Sequence, residues 1–172
     1  SLGAGVGWTD AKGRSFRAAD DRLGHRLART ESEGTSTWTW GSSAAARNIG
    51  RLQSKAGPGY SESLAYDGLG RVSTRTIKTD QSYQYDYTYN SIGAIDTLTY
   101  PTSPVPTGQT GDRLRLRYSY SFGTPSQIDD ITPATSRTLW KLNVVSDFNA
   151  PIHESWSGGV IARSSHYDTA TQ

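Results

Sequence analysis

The chain has 172 residues, a formal net charge of +2 from 18 basic and 16 acidic side chains, and a polar mean hydropathy of −0.63. Only 34% of the residues are hydrophobic, so we expect a thin sheet rich in tyrosine and tryptophan rather than a thick two-layer core. The balanced charge, the lack of a long apolar run and the lack of cysteine give no support for a nucleic-acid partner, a membrane span or disulfides.

Three segments alternate with the period of two that is typical of half-buried β-strands. Residues 35–40 set two tryptophans against threonines, residues 83–90 set four tyrosines against polar residues, and residues 113–120 set leucine and tyrosine against arginine and serine. No window of twelve residues sustains a helical apolar stripe, and residues 43–47 allow one helical turn at most. The sequence therefore predicts an all-β fold of repeated antiparallel β-hairpins that form a curved sheet, with less than a tenth of the residues in helix.

A short turn motif recurs between the predicted strands, and its complete copy runs from Tyr66 to Arg71 as Tyr-Asp-Gly-Leu-Gly-Arg. Taken at Gly24, Gly50, Gly70, Gly93 and Gly123, the intervals are 26, 20, 23 and 30 residues, which indicates a repeat array. The motif residues are Asp21, Gly24, Gly50, Tyr66, Asp67, Gly70, Arg71, Tyr89, Asn90, Gly93, Gly123, Tyr167 and Asp168.

Each copy of the motif makes physical sense as a tight turn. The Asp or Asn side chain can accept hydrogen bonds from its own backbone, and the Gly supplies a positive φ that other residues resist. We expect the Leu or Ile before the Gly to point inward and pin the turn, and Arg71 to begin the outgoing strand. Gly70 and Gly93 should have positive φ, whereas Ala150, which replaces the Gly in a weaker copy, should have a negative φ.

Two loops are predicted, and neither marks a domain boundary. Residues 101–111 hold three prolines and two glycines and indicate a long hairpin tip, because proline cannot donate into a sheet. Residues 56–59 indicate a tight connection. The whole chain, 1–172, is therefore predicted to be one array of five to six repeats without a separate catalytic domain.

The search for reactive groups predicts no catalytic, cofactor-binding or metal-binding residues. The histidines at 25, 153 and 166 have the spacing of no familiar metal site, and His25 is expected at the surface. No Gly-x-Ser-x-Gly elbow is present. The row of Arg113, Arg115 and Arg117 is expected to be a solvated strand face that pairs with acids such as Asp86.

In these turn motifs the chain resembles the RHS/YD-repeat proteins. The resemblance extends from about residue 20 to the last residue. The resemblance implies that hairpins spiral into a hollow shell, which in bacterial members of the family commonly encloses a toxic C-terminal domain. It further implies a secreted or injected parent protein, of which this chain is a piece and whose flanking repeats and toxin domain are its partners. The sequence departs from the family pattern at residues 149–150 and at 120–123, and these two turns are expected to differ. At the unit ending of residues 167–172, Thr replaces the Pro and Gln172 replaces the final Gly.

A different class of function is left open by the aromatic residues. Exposed rows that include Trp38, Trp40 and the tyrosines of residues 83–89 would suit a module that binds glycans or a partner surface. An adhesion role like that of animal relatives is disfavoured by the absence of cysteine. The two main hypotheses differ in whether the rings link successive repeats or form an exposed platform.

Overall fold

The computed structural model describes residues 5–102, 111–132, 134–145 and 151–165. Strands contain 64% of the described residues and helix only 2%. The predicted all-β fold of antiparallel hairpins is therefore confirmed.

The strands follow one another along the chain, and one 3-10 turn, Ser157–Gly159, lies between the last two strands. They are β1 (Gly5–Thr9), β2 (Ser15–Asp20), β3 (Arg26–Glu31), β4 (Gly34–Trp40), β5 (Leu52–Gly57), β6 (Tyr60–Tyr66), β7 (Val72–Lys78), β8 (Ser82–Tyr89), β9 (Ile95–Thr102), β10 (Arg113–Ser121), β11 (Thr124–Asp130), β12 (Arg137–Val145), β13 (Pro151–Trp156) and β14 (Ile161–Ser164).

The sheet order is the order of the sequence, from β1 to β14. Every second connection of such a meander lies at the same end of the strands. The chain divides into two compact units, Ser1–Tyr85 (unit 1) and Asp86–Gln172 (unit 2).

In unit 1 the pairing register separates two chemically different faces. Residues that pair directly across β4, β5, β6 and β7 form a row on one face of the sheet. The next row lies on the opposite face, because successive side chains of a strand point to opposite faces. One row carries large and charged side chains, and the next row carries only serine and threonine. The first row is Trp38, Lys55, Glu62 and Ile77, and the second is Thr39, Ser54, Ser63 and Thr76.

In unit 2 the same separation appears across β8, β9, β10 and β11. The tyrosines of β8 share a face with the leucines of β9 and β10, while threonines and Arg117 occupy the opposite face. The predicted alternation of these segments is thus observed in the register. One row is Tyr87, Leu98, Leu116 and Asp130, and the next is Thr88, Thr97, Arg117 and Asp129.

The buried core is small. Ala18 and Leu116 are the buried hydrophobic residues of the described part of the chain, and Asn48, Glu62 and Asp130 are buried polar or charged residues. Side chains within each face therefore shield one another, as the low hydrophobic content led us to expect.

The structure describes the basic row and the two ends of the predicted loop at residues 101–111. Pro101 and Thr102 belong to β9, so the predicted loop at 101–111 begins later, and residues 103–110 lie outside the described residues. The predictions for Ala150, His166, Tyr167 and Asp168 also fall outside them. Within unit 2, Arg113 Nη1 donates to Asp86 Oδ2 at 2.6 Å, which confirms the predicted pairing.

The outermost strands should promote self-association, since β1 and β14 each have one neighbour in the strand order. All four residues of β14 are exposed, and the strand carries one charge, Arg163, and no proline to discourage pairing. We expect the isolated chain to form dimers or larger species at tens of micromolar concentration, as measured by light scattering. A stable monomer with slowly exchanging amides in β14 would contradict this prediction.

Candidate functional site

The complete copy of the turn motif joins β6 to β7 and is closed by the Asp67 side chain. Asp67 Oδ1 accepts hydrogen bonds from the backbone N–H groups of Leu69 and Arg71, both at 2.9 Å. The Gly70 N–H donates to the Asp67 carbonyl at 2.9 Å, and the Asp67 N–H donates to the Arg71 carbonyl at 2.8 Å. The second carboxylate oxygen accepts from Arg71 Nε at 2.7 Å. The hydrogen bonds to its carboxylate hold the pKa of Asp67 below its ordinary value, and the bond from the Arg71 backbone N–H has the largest effect.

The same pattern returns at two other predicted turns. Asp21 Oδ1 accepts from the backbone N–H groups of Leu23 and His25, both at 2.8 Å. Asn90 Oδ1 accepts from those of Ile92 and Ala94, at 3.1 and 3.0 Å. In each of these copies, therefore, the Oδ1 atom of the Asp or Asn accepts hydrogen bonds from the backbone N–H groups of the second and fourth residues after it.

A further copy that the sequence analysis missed joins β1 to β2. Asp10 Oδ1 accepts from the backbone N–H groups of Lys12 and Arg14 at 2.8 and 3.0 Å, and Arg14 Nε donates to Asp10 Oδ2 at 2.8 Å. This turn precedes the Asp21 turn by a single strand, so it lies at the other end of the strands and out of step with the period. The pattern Asp-x-x-Gly followed by a cationic residue would have revealed it.

The conformation of the turn glycines agrees with the prediction. Gly70 and Gly93 have φ values of 75° and 83°. Gly123 also has a positive φ, 81°, but it follows Phe122 at φ 49° in a two-residue turn between β10 and β11. This turn lacks the Asp and differs from the others, as expected from its departure from the motif.

The apolar residue before each turn glycine was expected to point inward, and this prediction is wrong. Leu23, Ile49, Leu69 and Ile92 are between 64% and 80% exposed. The turns project past the ends of the strands, where a single sheet offers no layer beneath them to pack against. The motif therefore places an apolar side chain in solvent at each of these tips.

The copy at Gly50 is carried by a longer connection between β4 and β5. Asn48 is buried, and its Oδ1 accepts from the Ser43 N–H at 3.0 Å. The Gly50 N–H donates to the Gly41 carbonyl at 2.9 Å, and the Arg51 N–H donates to the Asn48 carbonyl at 2.9 Å. Asn48 thus ties together the segment in which at most one helical turn was predicted.

Aromatic residues near the ends of β4 and β6 reach back to the strand before them. In unit 1, Trp40 Nε1 donates to the Arg26 carbonyl at 2.8 Å, and the Tyr66 hydroxyl donates to the Leu52 carbonyl at 2.5 Å. Arg26 and Leu52 are the first residues of β3 and β5. We call this contact the aromatic clamp.

Unit 2 contains the same aromatic clamp, in which the Tyr120 hydroxyl donates to the carbonyl of Ile95 at 2.8 Å. Ile95 is the first residue of β9 and directly follows the Asn90 turn. In all three clamps the acceptor is the residue that leaves a repeat turn, and the donor comes from the end of the next strand. Each clamp therefore ties the residue that leaves a repeat turn to the second strand after that turn. Burial raises the pKa of the Tyr66 hydroxyl.

His25 was expected at the surface, but it is half-buried in the Asp21 turn. Its ring stacks on Trp40 with 4.3 Å between centroids, and its Nδ1 lies 2.9 Å from Asp21 Oδ2. The ring occupies the place that Arg71 takes in the complete motif. Trp40 is consequently covered on one side and bonded through its nitrogen, so it does not form the exposed platform considered from the sequence.

A charged cluster that the sequence analysis did not find lies on the aromatic face of unit 1. Glu62 is only 6% exposed and contacts Arg75 Nε at 2.9 Å, Lys55 Nζ at 3.0 Å and the Tyr60 hydroxyl. Burial opposes its ionisation, but the hydrogen bonds from Arg75, Tyr60 and Lys55 lower the pKa of Glu62 to about 2. The Glu62 carboxylate in turn raises the pKa of Lys55. Only the register of three strands brings these residues together.

Loss of the Asp67 side chain should loosen its turn. Asp67→Ala removes the acceptor for two backbone N–H groups, whereas Asp67→Asn keeps that acceptor, as Asn90 does naturally, and loses the charge pair with Arg71. We expect urea denaturation midpoints in the order wild type, Asp67→Asn, Asp67→Ala, from highest to lowest. Equal midpoints for the two variants would show that the backbone bonds contribute nothing.

Removal of the Tyr66 hydroxyl should break one aromatic clamp. Tyr66→Phe keeps the ring and deletes a hydrogen bond to a main-chain carbonyl, so we expect a loss of about 1 kcal/mol in unfolding free energy. Tyr83→Phe, whose hydroxyl bonds an exposed Asp80 side chain at 3.2 Å, is a matched control that should change stability less. Urea denaturation of both variants measures the difference, and equal losses would contradict the clamp's role.

The described part of the chain contains neither a candidate metal site nor a candidate membrane-spanning helix. No group of three or more His, Asp or Glu side chains there could hold a metal ion, and no helix there is long and apolar enough to cross a membrane.

No protein-family model matches the chain, and a search of curated proteins found no match. Membership of the RHS/YD-repeat family therefore stays a prediction from the motifs.

Proposed function

We propose that this chain is a structural segment of an RHS/YD-repeat shell, whose hairpins form a wall around a toxic C-terminal domain of a secreted or injected bacterial protein. The observation that carries the proposal is the recurrence of one physical unit, a repeat turn followed by an aromatic clamp. Arg26, Leu52 and Ile95 each leave a turn and accept from an aromatic residue of the following strand. A device repeated in this way extends a sheet hairpin by hairpin and requires no active site.

The two faces of unit 1 give further support. The face with Trp38 and Glu62 is densely covered by large side chains, whereas the opposite face has serine and threonine at the corresponding positions. A wall has two sides that meet different surroundings, and a different composition on each side suits that role.

Protease protection in the complete gene product tests the enclosure. The full reading frame would be expressed, treated with a nonspecific protease and compared with its C-terminal region expressed alone. We expect the region to survive inside the full product and to be digested rapidly when isolated. Equal digestion rates, or a gene product without any region beyond the repeats, would contradict the proposal.

A second function, glycan binding, is favoured by one specific feature. A cavity of about 280 Å³ on unit 1 is lined by Trp38, Tyr60 and Pro58, with Lys55 and Ser36 as polar neighbours. Aromatic rings beside hydrogen-bonding groups suit a sugar ring, which has apolar and hydroxyl-bearing sides. This cavity includes one of the two tryptophans that the sequence analysis considered for binding.

Glycan-array retention of the purified chain distinguishes the two functions. If the cavity binds a glycan, retention should be lost in Trp38→Ala and kept in Thr39→Ala, a substitution on the neighbouring residue of the opposite face. Absence of retention for the wild-type chain on a broad array would leave the wall as the function of this segment. Retention unaffected by Trp38→Ala would exclude this cavity as the glycan site.

A further inference from the structure

A cavity at the turn end of unit 1 lies between two successive repeat turns and has a volume of about 480 Å³. The connection between β4 and β5 forms one wall, and the turn between β6 and β7 forms the other. This volume falls within the usual range of ligand-binding clefts. Its lining residues are Ala44, Arg47, Ile49, Arg51, Gly68, Leu69 and Gly70.

The guanidinium of Arg51 is held in place at this cavity. Its Cζ lies 5.7 Å from the centroid of the Tyr66 ring. Its Nη2 lies only 2.8 Å from where a Cβ on Gly70 would stand, so the absence of a side chain at residue 70 lets the guanidinium approach the turn. An arginine positioned by an aromatic ring and a glycine turn is preorganised to bind an anion, because less side-chain freedom is lost on binding.

A second cation, Arg47, lines the same cavity from a strained backbone. Its φ of 54° is in the left-handed region, which a residue with a Cβ adopts at an energetic cost. Glycine would remove that cost. The chain therefore carries a backbone cost at a residue whose side chain lines the cavity.

Neither cation has a carboxylate partner among the described residues, although the turn that forms the other wall of the cavity contains an acidic residue. Asp67, in the turn that forms the second wall, accepts from the Nε of Arg71 and from two backbone N–H groups. Its bonds are therefore committed within its own turn. Two guanidiniums without carboxylate partners that face one cavity attract a negative group.

Apolar side chains flank the two cations. Ile49 is 64% exposed and Leu69 is 75% exposed, one on each wall. A bare inorganic anion would leave both side chains in water, whereas a peptide with an apolar residue beside each carboxylate would cover them. Arginine pairs that read acidic peptide motifs use the same chemistry.

We propose that this cavity binds an acidic peptide segment in which apolar residues alternate with carboxylate side chains, with the carboxylates on Arg47 and Arg51 and the apolar side chains against Ile49 and Leu69. Binding at this cavity does not depend on whether the chain belongs to a shell.

Two peptides and a small carboxylate are suitable probes for the isotope-labelled 172-residue chain. The acidic peptide is acetyl-Leu-Asp-Leu-Asp-amide, its neutral match is acetyl-Leu-Asn-Leu-Asn-amide, and sodium acetate supplies the carboxylate alone. We expect the acidic peptide to shift the NMR signals of the Gly68 and Gly70 amides and of both arginine side chains in a saturable manner. The affinity for the neutral peptide should be lower by about tenfold or more, since this peptide lacks charge-assisted hydrogen bonds.

Variants locate the binding site. Arg51→Gln should weaken acidic-peptide binding about tenfold or more. Arg17→Gln, which removes an exposed charge on β2 away from the cavity, should leave it unchanged. Arg47→Gly should raise the melting temperature, because it relieves the left-handed arginine, and should still weaken binding. This opposite movement of stability and affinity separates a binding role from a structural role.

Several outcomes would overturn the proposal. Equal affinity for the acidic and neutral peptides would exclude carboxylate recognition, and acetate binding as tight as the acidic peptide would reduce the cavity to a small-anion site. Equal loss of binding in Arg17→Gln and Arg51→Gln would indicate attraction to net charge only. Unchanged binding in Arg47→Gly would remove the second cation from the site.

Discussion

Replacement of Glu62 by alanine should lower the unfolding free energy by about 2–3 kcal/mol, because two cations and a hydroxyl lose a buried shared acceptor. Glu62 lies on β6, and its partners come from both neighbouring strands, Lys55 of β5 and Arg75 of β7. Their side chains are about a third exposed and can regain water, which keeps the loss below that of a fully buried triad. Urea denaturation followed by circular dichroism measures the change.

The same cluster should make stability depend on pH in a defined window. The folded state lowers the pKa of Glu62 from 4.5 to about 2, so ionised Glu62 stabilises the fold above pH 4.5. This contribution should be lost as the pH falls from about 5 toward 2, because the unfolded chain then binds a proton more readily than the folded chain does. In Glu62→Gln that part of the pH dependence should disappear.

Glu33→Ala is the matched control for Glu62, since Glu33 is an exposed residue in the connection between β3 and β4. We expect it to change stability little, as is usual for surface substitutions. A loss as large as that of Glu62→Ala would indicate that general charge balance, rather than the buried cluster, stabilises the sheet. Stability of Glu62→Gln that still falls with the wild-type slope between pH 5 and 2 would contradict the origin given for the pH dependence.

Gly70→Ala should destabilise the chain by roughly 1 kcal/mol or more, because φ at this residue is 75° and a Cβ is poorly tolerated there. The new methyl group would also stand 2.8 Å from Arg51 Nη2 and would displace that side chain. Gly93→Ala separates the two effects, since φ is 83° there and nothing lies within 4 Å of the added Cβ. We expect Gly93→Ala to be destabilising, and Gly70→Ala to be equally or more so.

Gly68→Ala is the control within the same turn. Gly68 has no left-handed φ, and a Cβ there would meet open space. We expect no loss of stability, or a small gain from the reduced freedom of the unfolded chain. Melting curves of the three variants check the order, and a Gly68→Ala loss that matches Gly70→Ala would mean that the turn resists any added side chain regardless of conformation.

Local chemistry explains why the turns and strands could be predicted from the sequence. Asp67 reaches Leu69 and Arg71 within its own five-residue turn, so the motif carries most of the information that the turn needs. Strand alternation is equally local, since Tyr87 and Thr88 must point to opposite faces in any strand. The failure at Asp10 has a simple cause, because its turn is chemically complete but lies out of step with the period used to search for copies.

Contacts between strands could not be predicted in this way. His25 was expected at the surface because it follows a turn glycine at a position for long polar residues. Nothing near it in sequence indicates Trp40, which reaches it from the second strand after the turn. The Tyr66 hydroxyl finds the Leu52 carbonyl fourteen residues earlier, through the pairing of β5 with β6. The aromatic residues could be predicted to recur, but the acceptor of each hydrogen bond could not.

The sequence by itself determined the all-β class, the places of the Asp- and Asn-containing turns that recur with the repeat and the division of each strand into two faces, because these depend on interactions within a few residues. The tertiary structure alone decided that Leu23 and Leu69 face solvent, that Glu62 lies buried between two cations, and that Arg51 rests on Gly70 beside a cavity. Each of these depends on the register between strands or on how far the turn tips extend past the single sheet. Residue type limits the possible partners, and the pairing of distant strands selects among them.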